Sequence, residues 1–212
     1  MCNLFSPKKP FVDITLIKPL KKPPQEVNYL FFDYETFPPR LNGDTHIVYM
    51  ASFVSDRERI IWYTKPEGKR IRPEQMGIEC KFIQSSDPIR SHIDHMLQHY
   101  KDYRAFAHNA ANFDSLILAS RLKGEDLRKG ANPIIIRDGK IICIYLNNGI
   151  QIKDSMKLCP ASLKELAKSF NLSYKKAEFD IASITPENYR MNFRQIAKYC
   201  LIDSIVGYEF LG

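Results

Sequence analysis

Apolar and polar positions change period several times along the chain, and each change marks an element. Tyr29-Leu30-Phe31-Phe32 is an unbroken apolar run of the kind found in buried strands, and it breaks at Asp33-Tyr34-Glu35-Thr36 into two acids one residue apart. Two β-rich runs follow, His46 to Val54 and Arg59 to Thr64, separated by the charged turn Ser55-Asp56-Arg57-Glu58; with the first run they predict an antiparallel three-stranded meander. Residues 65–87 are charged and without period, and read as irregular. From Ile89 the apolar positions Ile89, Ile93, Met96, Leu97 and Tyr100 take helical spacing, which turns His92, His95 and His99 toward solvent on the other face. Arg104 to Asn109 reads as a short buried strand leading into a helix over Phe113 to Ala119. Pro133 to Leu146 reads as a hairpin turning at Asp138-Gly139, and Ile150 to Lys153 as a further strand that ends at Asp154-Ser155. Ser162 and Glu165 form a capping box ahead of the stripe Leu163, Leu166, Ala167 and Phe170. Thr185-Pro186 opens another helix, and Asn192 to Gln195 predicts a second start before a long helix running to Leu211. Residues 1–28, where prolines alternate with lysines, predict an extended lead-in with at most a short edge strand over Val12 to Ile17.

The periods also decide which side chains share a face. Asp33 and Glu35 lie on one side of their strand, about 7 Å apart along the chain, within reach of one divalent cation. Taken alone, such a pair is also how many buried strands end in solvent. Asp114 falls at a helix start just after a strand, where open α/β sheets bind ligands and where an Asp also commonly caps a helix. Asp203 lies one turn beyond Tyr199, on a face that continues through Val206 and Phe210, beside the stripe Phe193, Ile196, Ala197, Cys200 and Tyr208. A carboxylate turned inward is costly unless a base or a cation meets it. Were the four acids to converge, their repulsion would call for two divalent cations about 4 Å apart, and hard oxygen donors favour Mg²⁺ or Mn²⁺ over zinc.

Composition narrows the setting. At 212 residues the chain is long enough for one core, and 44% hydrophobic with 26% charged residues is the balance of an ordinary globular protein. Its 31 Lys and Arg against 24 Asp and Glu, four of which are the candidate acids, give a net charge of +7 that suits a polyanionic partner. The five cysteines are scattered and odd in number, which predicts free thiols and neither a zinc ribbon nor a disulfide framework. No apolar run approaches a membrane span and no secretory core opens the chain, so a soluble, intracellular protein without membrane contact is expected.

Three segments resemble, in order and spacing, the exonuclease motifs of family B DNA polymerases: Phe32-Asp33-Tyr34-Glu35-Thr36, His108-Asn109-Ala110-Ala111-Asn112-Phe113-Asp114, and Tyr199-Cys200-Leu201-Ile202-Asp203. The version they most resemble is the protein-primed branch of phages, linear plasmids and related viral or mobile elements. Asp154-Ser155-Met156-Lys157-Leu158-Cys159-Pro160 is similar to that branch's D-S-x-x-x-x-P segment, and Lys176-Ala177-Glu178-Phe179 to its K-x-x-hydrophobic motif.

The resemblance implies an α/β fold of the ribonuclease-H-like (DnaQ-like exonuclease) type, a mixed sheet flanked by helices, over residues 29–212. It implies a 3′-to-5′ exonuclease of the DEDDy subclass acting on single-stranded DNA ends in proofreading. Asp33, Glu35, Asp114 and Asp203 would hold two Mg²⁺ or Mn²⁺ ions, Tyr199 would orient a water, and Lys176 would neutralise the scissile phosphate. Thr36, Phe106, His108, Asn109, Phe113, Ser155 and Met156 match positions that bind the terminal nucleotides.

Segments of the polymerase type (D-x-x-S-L-Y-P, N-S-x-Y-G, D-T-D-S) have no counterpart, so an exonuclease domain or stand-alone relative that does not polymerise is expected. Its partners would be a 3′ end and a polymerase domain or terminal priming protein, in a viral, plasmid or organellar setting. An RNA-preferring or end-trimming exonuclease, or a silent single-strand or priming-protein binding module, is the alternative.

Overall fold

The computed structural model describes residues 27–38, 46–67, 72, 77–130, 132–175 and 178–212. The lead-in over residues 1–28, except Val27 and Asn28, and the strand expected over Val12 to Ile17 lie outside the described residues, as does Lys176. Eight strands form one mixed sheet: β1 (Tyr29–Phe37), β2 (Ile47–Ser55), β3 (Arg59–Tyr63), β4 (Lys81–Gln84), β5 (Arg104–Ala107), β6 (Ile134–Arg137), β7 (Lys140–Tyr145) and β8 (Gln151–Asp154). Their order is β4-β3-β2-β1-β5-β8-β7-β6. Among the described residues four α-helices accompany them: α1 (Pro88–His99), α2 (Asp114–Ala119), α3 (Leu163–Ser169) and α4 (Pro186–Leu211). Among the described residues no helix is long and apolar enough to cross a membrane. The described cysteines, Cys80, Cys143, Cys159 and Cys200, are free thiols, as their spacing predicted.

The central strand is β1, antiparallel to β2 and parallel to β5. Its apolar run is explained by burial on both sides, and its alternation divides the work. Leu30, Phe32 and Tyr34 enter a core with Phe53 and Trp62 of the sheet and with Ile89, Ile93 and Met96 of α1. The other face of the sheet supplies Tyr49, Met50, Ile61 and Tyr63 to a second core completed by Phe193, Ile196, Ala197, Cys200 and Leu201 of α4. Asp33 and Glu35 therefore leave β1 on the α4 side. The layout, an α/β sheet with helices on its faces, is compatible with a ribonuclease-H-like exonuclease fold.

The three-stranded meander forms as the pattern predicted. The β6–β7 hairpin turns at Asp138 and Gly139, both at positive φ, the conformation a two-residue turn requires. Three expectations are corrected. Residues 65–87 contain β4, which pairs parallel to β3; its edge position leaves Lys81, Ile83 and Gln84 exposed, so it carries no buried period to read. No break falls at Asn192 to Gln195, because α4 runs unbroken for 26 residues from the capping box at Thr185 and Asn188. His92 is fully buried instead of solvated, with Nδ1 2.7 Å from the Tyr34 hydroxyl and its ring against Phe32, Phe53 and Trp62. His95 is half-buried and pairs with Glu58 at 2.8 Å, which leaves His99 as the exposed member of the three.

Candidate active site

The site forms where β1 and β5 part company. Their parallel pairing runs through Tyr29, Leu30 and Phe31 and is not continued at Tyr34, whose backbone N–H needs another acceptor. Asp114 supplies it: the N–H donates to Asp114 Oδ1 at 3.2 Å. A crevice thus opens at the carboxyl ends of parallel strands, the usual ligand position of open α/β sheets. Immediately after Glu35 the pairing with β2 slips by one residue, and such a bulge bends the strand and re-aims what precedes it.

The segment joining β5 to α2 is a compact turn. Asn109 takes φ 58°, a left-handed conformation that asparagine tolerates, and Asn112 Nδ2 donates to its Oδ1 at 2.5 Å. Asp154, at the end of β8, accepts from the N–H groups of Ala111 (3.2 Å) and Met156 (2.9 Å). It thereby ties this turn to the segment holding Ser155. His108 Nδ1 lies 3.1 Å from the Ser155 hydroxyl. These contacts fix the start of α2, where Asp114 is the first helical residue and Phe113 the cap.

Helix α4 brings the remaining groups. Ser52, opposite Asp33 in the β-ladder, donates its hydroxyl to the Cys200 carbonyl at 2.8 Å and meets the Ser204 hydroxyl at 2.6 Å. The helical turn between Tyr199 and Asp203 is thus fastened to β2 by buried polar contacts, which position better than apolar ones because they are directional. Gly207 lets the helix approach further: a Cβ there would meet Phe31 ring atoms at 2.1 to 2.4 Å.

The result is a cleft of about 410 Å³ lined by Asp33, Glu35, Asp114, Tyr199 and Asp203, together with His108, Asn109 and Phe113. Glu35, Asp114 and Asp203 are buried, and Asp33 is partly so. Ligand atoms of Asp33, Glu35 and Cys200 come within 4.8 Å of one another, a group that could hold a metal ion; Asp114 and Asp203 line the same cleft outside that trio. Burial raises the Asp114 carboxyl to about 7, against backbone N–H bonds from Tyr34 and from Asp114 itself that lower it, with a smaller upward push from repulsion by the Asp154 carboxylate. Burial also lifts the Cys200 thiol well above its ordinary value, with the charges of Glu35, Asp33 and Asp203 adding to it. The neighbouring Tyr49 phenol is raised chiefly by burial and next by Glu35. A concentrated negative field of this kind is what cations relieve, and the oxygen-rich donor set fits hard divalent ions.

Thr36, Phe106, Ser155 and Met156 do not line the cleft. Thr36 lies beside it: its hydroxyl is 3.0 Å from His46 Nδ1, and the His46 ring packs edge-on against Phe113 at 5.2 Å. Phe106 is buried in β5, and Ser155 acts beneath His108. The sequence pattern did not single out Asn112, Ile181, Cys200 or His46. Asn112 and Cys200 sit inside segments whose spacing was informative, but nothing in the spacing marks His46 or Ile181.

Residues 94–203 match the family model described as DNA polymerase type B, organellar and viral. That stretch runs from within α1 through Asp203, and so includes Asp114 and Tyr199 and stops short of Asp33 and Glu35. A protein named probable DNA polymerase from Ascobolus immersus is 30% identical over 118 residues, which cover 50% of this chain and 8% of that protein. The chain therefore spans a small part of its relative.

Proposed function

The chain belongs to the organellar and viral DNA polymerase type B family, and from that premise we propose that residues 29–212 form a metal-dependent 3′-to-5′ exonuclease acting on single-stranded DNA. The observation that carries this reading is the convergence of Asp33, Glu35, Asp114, Tyr199 and Asp203 from β1, α2 and α4 on one cleft. Hydrolysis adds water across the last phosphodiester. The water oxygen bonds to phosphorus, the bond to the 3′ oxygen of the preceding nucleotide breaks, and a nucleoside 5′-monophosphate leaves.

Asp33, Glu35 and Asp203 would hold one Mg²⁺ or Mn²⁺ ion, and Asp33 with Asp114 a second. When bound, such ions supply an acidified water and a counter-charge for the departing oxygen. The chain's own groups supply orientation. Tyr199, partly exposed and one helical turn from Asp203, would orient the attacking water through its hydroxyl, and His108, Asn109 and Phe113, which line the same cleft, would border the terminal sugar and base. Backbone and stacking contacts of this sort grip an end without reading its sequence. Lys176, outside the described residues, is proposed as the counter-charge at the scissile phosphate.

The test is incubation of labelled single-stranded DNA and RNA oligonucleotides with Mg²⁺ or Mn²⁺. The DNA shortens in wild type and stays whole in Asp33→Ala and Asp203→Ala. Faster loss of RNA would move the reading to an RNA-trimming enzyme. Tight binding with both strands intact would leave a silent single-strand module.

A further inference from the structure

On the flank of α4 away from the carboxylate cleft lies a second groove, of about 330 Å³, bordered by Arg59, Glu79, Tyr174, Arg194 and Lys198. Arg194, Lys198, Leu201 and Ile205 recur at helical spacing and so form one stripe, the cations at its rim and the apolar pair at its floor. Lys198 and Tyr199 are neighbours in sequence and so project about 100° apart around the helix, one into each recess. Arg59, Arg194 and Lys198 form no ion pair with any described residue, and Glu79 is the single acid on the groove wall. The Arg59 guanidinium stands 6.0 Å from the centre of the Tyr174 ring, leaving that ring a partly exposed wall.

The groove does not end there. Lys175, which follows Tyr174 in the chain, borders a further recess of about 500 Å³ that also carries Lys164 and Lys168 on α3; its acid, Glu178, is taken up by Lys164 at 2.9 Å. Cations therefore follow one another along a track, with an aromatic ring at the junction. A point anion would need one of these recesses; a polymer of regularly spaced phosphates uses both. The apolar floor and exposed ring suit an unpaired base, which a duplex would not offer.

We propose that this track is a second site for the backbone of a single nucleic-acid strand, separate from the cleft that holds the 3′ end. The inference rests on the reading that the protein handles such an end, and its test stands apart from cleavage. Binding of a fluorescent (dT)20 is followed by anisotropy over a salt series, with EDTA present, in wild type and in the double variant Arg194→Gln/Lys198→Gln. Affinity should fall about tenfold, and the log–log salt slope should become shallower by about 1.4, two phosphate contacts at roughly 0.7 each for a single strand. The charge-keeping variant Arg194→Lys should retain the wild-type slope, and circular dichroism confirms that the double variant is folded.

Unchanged affinity and slope in the folded double variant overturn the track while leaving the exonuclease reading intact. A wild type that cleaves nothing, yet whose salt slope falls in the double variant, keeps the track and removes the exonuclease. Poly-glutamate displacing the oligonucleotide as well as (dT)20 does, at equal charge, would assign the surface to an acidic protein and also overturn the proposal.

Discussion

Asp114 shows how one residue can be structural and chemical at once. Its Oδ1 accepts the Tyr34 N–H that β5 leaves unmatched, and burial raises its carboxyl to about 7. An unfolded Asp titrates near ~3.9, so the native state binds this proton more tightly. The group's contribution is then most favourable below about pH 4, declines as pH rises toward 7, and stays unfavourable above. Asn keeps the acceptor and cannot ionise. Without divalent metal, Asp114→Asn should stabilise the protein at pH 8 by on the order of 1–3 kcal/mol, a rise of several degrees in Tm, and the gain should shrink by pH 5. Thermal melts at the two pH values check it; an equal or lower Tm at pH 8 would mean that Asp114 is not a buried charge in the folded chain. Strand and helix periods showed which faces Asp33, Glu35 and Asp203 occupy, but each acid also had an ordinary structural reading, and it was the resemblance in motif order that grouped them with Asp114. His92 was not legible in the sequence: a helical pattern counts histidine as polar, and only the sheet beneath α1 shows that its Nδ1 meets the Tyr34 hydroxyl.

Among the elements, β1 and α4 matter most, since each carries two groups of the cleft. Their separation is set by Gly207 over the buried Phe31 ring, where an added Cβ has no room. Gly207→Ala should cost roughly 1–3 kcal/mol of stability by overpacking, read as a lower urea midpoint with an unchanged slope. Combining it with Phe31→Leu should recover part of that loss. Full additivity of the two losses would show that the contact does not set the helix position. Long elements with a buried stripe were readable: the run before Asp33, the helix from Ile89 and the hairpin at Asp138-Gly139 all stand where the pattern put them. Strand β4 was hidden because four largely exposed residues at a sheet edge carry no period. The continuity of α4 was hidden for another reason: polar residues at Asn192, Arg194 and Gln195 look like a helix start, yet the buried faces of Phe193 and Ile196 carry the helix through.

For the whole molecule, the sheet order explains why one chain can present an acidic cleft and a basic track on the same side. Helix α4 crosses β1 and β2 and divides that face, with the parting of β1 and β5 on one flank and the β3–β4 edge on the other. The net charge of +7 is thus not spread evenly: the acids collect where cations and a strand end would meet, and Arg59, Arg194 and Lys198 line a recess of their own. Membership of a DNA polymerase type B family and the geometry of the cleft are what the proposed action on a DNA end rests on.

The central claim, that the cleft removes nucleotides from a 3′ end, is tested most directly by one strand followed in time. A 5′-labelled single-stranded DNA oligonucleotide incubated with Mn²⁺ should yield a ladder of products, each one nucleotide shorter at the 3′ end. The ladder should vanish with EDTA and in Asp203→Asn. Release of the labelled 5′ nucleotide, internal cuts, or a bound strand that stays at full length would contradict it.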